Sequence, residues 1–186
     1  MKKTLYFDLE TTGVDSKLHS IIQFAAIVEY DDEIVDKVNI SFQPFDDAEI
    51  EADALAKQNL TIEDILEYQD HHAGFLAVKG FLDKHINKFD KTDKFYPAGY
   101  NVRFDLDFLQ AFFKFNGEKY GIGSYFNWKI IDAYPMMHIM DWVGKIELEN
   151  YKLVTVCEKF RIPIKNAHNA LDDIEATRTL IRKLFK

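Results

Sequence analysis

One cysteine, Cys157, is all the chain has, so no intramolecular disulfide can staple it. Its place in a helical pattern reads as a small core residue, which fits a reducing cytoplasm. No segment approaches the roughly 20 apolar residues that a helix needs to cross a bilayer. The first residues pass into a strand pattern without a signal-type apolar stretch. The expectation is a soluble cytoplasmic protein with no membrane contact. Positive charge is also in deficit, with 23 Lys and Arg against 31 Asp and Glu and a net charge of -8. That balance excludes a broad basic surface that coats nucleic acid. It leaves open a small site where carboxylates hold divalent cations and so present a local positive target to phosphate. Low-complexity runs, repeats and linkers are absent, and 186 residues fit one domain spanning 1–186.

What is present is apolar and aromatic. Hydrophobic residues make up 47%, with sixteen Phe and nine Tyr, enough to bury a core without disulfides or structural metal. Thr4 to Leu9 alternates, Ser20 to Tyr30 is a branched and aromatic run, and Val38, Ile40 and Phe42 alternate before Pro44. These read as three successive strands in a meander. Thr61, with Asp64 three residues on, reads as a helix N-cap, and an amphipathic run follows over 73–89. "KFYPAGY" reads as a strand, "NVRFDLDFLQAFFKF" as a helix, "WKIID" as a strand, and Met-rich and C-terminal helices close the chain. The stretch 116–127 reads as an exposed loop. The fold class is therefore α/β: a mixed five-stranded sheet, an antiparallel meander of three strands then two further strands, flanked by helices.

Asp8 and Glu10 share one side of the first strand, since successive strand side chains point to opposite faces. Alone, that pattern is a solvated strand face. Asp105, however, sits on a helix stripe with Phe108, Leu109 and Phe112, while Asp107 shares its side with Arg103, Gln110 and Lys114. In the last helix Asp173 looks along Ala176, Thr177 and Leu180, and Asp172 along Glu175, Thr179 and Arg182. His168 falls in the turn before that helix. A buried carboxylate must be protonated, paired or bound to metal. Four of them with one histidine and no thiolate suit Mg²⁺ or Mn²⁺ rather than zinc. Two such ions held by shared carboxylates are a known solution for in-line displacement at phosphorus.

Three motifs in order carry a family resemblance: "FDLETTG", "YNVRFDLDFL" and "HNALDD". The chain resembles the DEDDh group of 3′-5′ exonucleases, which has a ribonuclease H-like fold and includes the proofreading subunit of replicative DNA polymerase, ribonuclease T and oligoribonuclease. The resemblance implies that Asp8 bridges two Mg²⁺ or Mn²⁺ ions, that Glu10 and Asp173 complete the first site, and that Asp105 helps hold the second. It places His168 as the general base for the attacking water, with a nucleoside 5′-monophosphate as product. Thr11, Thr12, Gly13 and Val14 fall where the family cradles the 3′-terminal nucleotide, Val14 as an apolar wedge. Asn101 and Phe104 orient substrate or the Asp105 helix. The implied partner is a single-stranded DNA or RNA 3′ end, with a polymerase as a possible second partner. Gln23-Phe24 and Tyr100 depart from common family residues. The lack of a Trp-rich first motif and of basic clusters slightly favours DNA over RNA. The last helix runs nearly to Lys186, which favours a stand-alone enzyme or a partner bound through the folded surface. A non-catalytic module that grips ends or a polymerase, and a 3′-5′ exoribonuclease, are the competing readings.

Overall fold

The first three strands, β1 (Lys3–Thr11), β2 (Ile21–Tyr30) and β3 (Glu33–Ser41), form the expected antiparallel meander. This is a computed structural model, and it describes residues 2–164 and 169–185. β4 (Tyr96–Gly99) pairs parallel with β1, and β5 (Ile131–Asp132) pairs parallel with β4. The sheet order is β3-β2-β1-β4-β5, which puts β1 in the middle. The fold is the mixed five-stranded sheet flanked by helices that the sequence implied.

Seven helices fill the connections among the described residues: α1 (Ala52–Lys57), α2 (Ile62–Leu66), α3 (His71–His85), α4 (Val102–Phe115), α5 (Ala133–Trp142), α6 (Leu153–Lys159) and α7 (Ala170–Leu184). Leu5, Phe7 and Leu9 of β1 point to one side and pack with Phe24, Val28, Phe75, Leu82, Leu109 and Phe113 under α3 and α4. Tyr6 points to the other side and packs with Ala25, Ile27, Met137, Ile174 and Leu180 under α5, α6 and α7. Both faces of β1 are therefore covered. Fully burying each of these large side chains contributes roughly 1.5–3 kcal/mol. Asp8 and Glu10 follow Tyr6 on a face that is core, so the solvated-strand reading of this pair is ruled out.

Local chemistry explains several boundaries. The Thr61–Asp64 capping box is present at α2. α3 begins two residues early because Asp70 accepts the Ala73 N–H, and it stops at His85 rather than Phe89. Asn87 is the cause of that stop: its side chain accepts the Phe89 N–H and its own N–H is bound by Asp93. The "WKIID" strand shrinks to its last two residues, and Trp128 stays exposed. The expected exposed loop at 116–127 needs correction. It contains a 3₁₀ turn, Gly121–Ser124, and buries Ile122, Tyr125 and Phe126. Gly121 sits at φ 57° with no room for a Cβ, because Gln110 lies there and accepts the Ile122 N–H. Among the described residues no helix is long and apolar enough to cross a membrane.

Candidate active site

Asp8 and Glu10 lie near the C-terminal end of β1, beyond the point where β4 stops pairing with it at Tyr6–Ala98. Backbone groups of β1 past that point lack a strand partner on this side, and they need one. The Leu9 N–H donates to Asp105 Oδ1 at 3.1 Å. Asp105 stands in the first turn of α4, only 3% exposed, among Val102, Leu106, Phe108 and Leu109. Its stripe position thus puts it inside, while Asp107 is exposed, as the spacing indicated. Asn101 turns the chain into α4 in the left-handed conformation, φ 63°, a region that asparagine tolerates. Its side chain makes no capping bond, and its N–H donates to Asp132 Oδ1 at 2.8 Å.

The third element is α7. Asn169 caps it by accepting the Asp172 N–H at 3.3 Å, which puts Asp172 and Asp173 in the first turn, where a helix favours negative charge. Both are half-buried, so the contrast between an inward and an outward aspartate is weaker than the helical spacing implies. Across the sheet, Ala25 pairs with Asp8 and Gln23 with Glu10. The small alanine leaves space beside Asp8 under α7. His168 lies outside the described residues.

The electrostatics show the carboxylates acting on one another in pairs. Burial, and then the neighbouring Asp173 carboxylate, push Asp8 up to about 7. Glu10 is pushed up to about 9 by burial, then Asp8, then Asp173. Asp105 is held well above the usual carboxylate range by burial and then Asp8, with the Leu9 hydrogen bond acting against them. The buried Cys157 thiol is raised to about 11 by burial and then Asp173. Among the described residues, the groups raising Asp8, Glu10 and Asp105 are carboxylates. The carboxylates therefore approach in overlapping pairs. Among the described residues no three His, Cys, Asp or Glu side chains form a ready-made shell for a metal ion. The chemistry of the donor set nevertheless fits a hard cation: every donor is a carboxylate oxygen, and only positive charge would let the cluster ionise.

The loop after β1 is more rigid than "TTG" suggests. Thr11, Thr12 and Gly13 are buried, and both threonine hydroxyls are in use, Thr11 Oγ1 donating to Gly13 O and Thr12 Oγ1 to Glu49 O, each at 2.7 Å. The Thr12 N–H is bound to Ser20 O at 2.9 Å. Of the loop amides proposed for the nucleotide, that of Thr12 is committed elsewhere. Val14 is 70% exposed and faces a shallow cleft of about 290 Å³ walled by Phe104, Asp107 and Phe108. Phe104 stacks against Phe108 with centroids 4.8 Å apart. Val14 and Phe104 are thus brought together on one cleft.

Three contributors escaped the sequence reading. His19 is buried against Gly13, and a Cβ on that glycine would sit 2.2 Å from the imidazole. Its Nδ1 accepts the Asp15 N–H at 3.0 Å. Gln58 donates to Thr11 O at 3.2 Å and, with Gln23, Tyr68 and Asn169, lines a cavity of about 150 Å³ beside Glu10. Asp132 holds both Asn101 and the first turn of α5. Of the three, only Asp132 had a local signal, as a helix N-cap following a strand.

With this geometry in hand, the relatives are informative. The RNase_T family, described as exonuclease, matches residues 5–181. DNA polymerase III PolC-type of Latilactobacillus sakei is 30% identical over 182 residues, covering 97% of this chain, and the Bacillus subtilis protein of the same name is 26% identical over 187. The chain spans 11% of the length of these curated relatives. Among solved structures, E. coli Exonuclease I in complex with a dT13 oligonucleotide superposes with a TM-score of 0.81 at 20% identity, covering 99% of this chain and 41% of the other. A product-bound structure of exonuclease I gives 0.78 at 20% identity, covering 100% and 43%. At these identities the structures speak for the fold. The sequence match over nearly the whole chain, on a mixed five-stranded sheet of the kind seen in these structures, shows that the chain belongs to the RNase_T exonuclease family, of the DEDD 3′-5′ type.

Proposed function

We propose that this chain is a 3′-5′ exonuclease dependent on two divalent cations, Mg²⁺ or Mn²⁺, which releases nucleoside 5′-monophosphates from single-stranded ends and favours DNA. The observation that supports the reading is that Asp8 and Glu10 on β1, Asp105 on α4 and Asp173 on α7 act on one another, with the first three raised by burial and by a neighbouring carboxylate. Asp8, Glu10 and Asp173 would hold one cation, and Asp8 and Asp105 the other. Bound there, the cations supply an acidified attacking water and charge stabilisation on the departing 3′ oxygen. The protein's own groups do the rest. β1 fixes two ligands at i and i+2 on a rigid central strand. Val14 and Phe104 offer an apolar contact to the terminal base, and the narrow cleft admits an unpaired nucleotide rather than a duplex interior. His168 takes the proton from the attacking water, with an imidazole suited to neutral pH.

Single-stranded DNA as substrate is supported by the dT13 complex of the Exonuclease I neighbour. The PolC-type relatives support replication or repair as the setting and a polymerase as partner. We read residues 1–186 as one exonuclease domain working in the cytoplasm. The test is product analysis on 5′-labelled and 3′-labelled single strands, DNA beside RNA, with Mg²⁺, Mn²⁺ or chelator. Metal-dependent mononucleotides from the 3′ end, faster from DNA, are expected. Faster release from RNA would make it an exoribonuclease. Tight binding without release in either metal would favour the non-catalytic module.

A further inference from the structure

We infer that Glu29 is a positioning residue which, through Arg178 and Arg182, sets the register of α7 against β1 and so places Asp173 opposite Asp8. The inference rests on the exonuclease reading above. Glu29 is 1% exposed, near the far end of β2 from the carboxylates, and both its oxygens are taken by α7: Arg178 Nε binds Oε1 and an Arg182 terminal nitrogen binds Oε2. Arg182 also reaches Asp32 at 2.7 Å, and its charge acts on the Tyr6 hydroxyl. Tyr6 is two residues from Asp8 on the same face of β1, and Glu29 pairs across the ladder with Thr4, two residues further on that face. One part-buried network, centred on the buried Glu29, therefore ties β2 to α7 beside Tyr6 of β1.

The spacing is what makes the network a register lock. From Asp173 to Arg182 is nine residues, about 13.5 Å along a helix at 1.5 Å per residue. From Asp8 to Thr4 is four residues, about 13 Å along a strand. The Arg182 end of the clamp thus lies about as far from Asp173 as Thr4 does from Asp8, with Arg178 between, about 7.5 Å along the helix from Asp173. A slip of α7 by one residue would turn Arg178 and Arg182 by about 100° and part both from Glu29. The neighbouring buried stripe, Ile174, Thr177, Leu180 and Ile181, sets which face of α7 turns inward, and the arginine pair adds a polar fix on the same placement. Hydrophobic contact is non-directional, whereas a bidentate pair between arginines and one carboxylate has a single geometry. A further pair on the helix, Lys37–Glu175, is exposed at both ends and adds little.

Glu29→Gln keeps the shape and removes the charge. The readouts are Mn²⁺ affinity of the full chain, followed by the paramagnetic resonance of free Mn²⁺, and steady-state release from an oligothymidylate. Partners that orient ligands typically change metal affinity or activity by 10–100-fold when altered. We expect Mn²⁺ affinity and kcat each to fall about tenfold or more, with KM for the oligonucleotide unchanged, while Lys37→Met matches wild type. Should Glu29→Gln fail to fold, the Glu29→Met/Arg178→Met/Arg182→Met variant replaces the network with apolar volume, and it should fold with its Mn²⁺ affinity still reduced. Wild-type affinity and kcat in either folded variant overturn the inference while leaving the exonuclease reading intact. A wild-type chain that neither binds Mn²⁺ nor releases nucleotide overturns that reading first.

Discussion

Without metal, Asp8→Asn should be more stable than wild type, and the gap should widen as pH rises. The folded chain holds Asp8 at about 7 and the unfolded chain near 3.8. Below 3.8 both states keep the proton and the group contributes nothing. Between 3.8 and about 7 the unfolded state releases a proton that the folded state retains, so stability falls as pH rises, and above about 7 the loss is complete. At about 1.36 kcal/mol per pKa unit, this shift of about three units corresponds to roughly 4 kcal/mol. For a chain of this size that is roughly 8–16 °C in melting temperature. Removing the Asp8 charge also relieves Glu10 and Asp105, which it raises, so the secondary effects have the same sign. His71 is held below its ordinary range by burial, and it acts in the opposite sense, favouring the fold as pH rises through about 6.5. It is common to both proteins and cancels in their difference. The assay is calorimetric melting of both chains with chelator at pH 5, 6, 7 and 8. A gap of roughly 1.6 kcal/mol, about 3–6 °C, at pH 5 that grows to the stated range at pH 8 is expected. Equal melting temperatures throughout would refute the placing of Asp8 in a buried, uncompensated negative cluster.

Three other outcomes are open to direct measurement. Adding Mn²⁺ at about 100 times its dissociation constant should stabilise the wild type by about 2.7 kcal/mol at pH 8 and by less at pH 5.5, where protons compete, and an equal or larger shift at the lower pH would count against carboxylate ligation. Gly13→Ala drives a Cβ into the His19 ring, so the loop must move, and oligonucleotide KM should rise several-fold with Mn²⁺ affinity unchanged, as titration and initial rates would register. His168→Ala should lower kcat by roughly 10²–10⁴-fold and remove the rise in rate through neutral pH while largely keeping Mn²⁺ affinity, and an unaltered pH–rate profile would take His168 out of the base role.

Much of this protein was legible before folding because its signals are local. Alternation in "YFDLE" put Asp8 and Glu10 on one face, and the 3.6-residue period put Asp105 on the apolar stripe and Asp107 on the wet one. Thr61 and Asp64 announced a cap that is present. The burial of Ile122, Tyr125 and Phe126 could not be read the same way, because Asn116, Gly117, Glu118 and Lys119 ahead of them make the segment look like a surface turn, and only packing on Phe7 and Phe113 decides otherwise. Likewise nothing local in "TTG" shows that Thr12 is bound by Glu49 and Ser20, which are remote in the chain.

The sequence by itself determined the motif order of a nuclease family and put Asp105 on an apolar helix stripe, with Asp8 and Glu10 on a shared strand face. Tertiary structure alone decided what burying these carboxylates costs and what holds them in place. Burial on both faces of β1 raises Asp8 and Glu10. Leu9 donates to Asp105 because β4 ends early, His19 backs Gly13, and Glu29 grips α7 across the sheet. Each of these depends on groups that are distant in the chain and adjacent in space, so no local period encodes it.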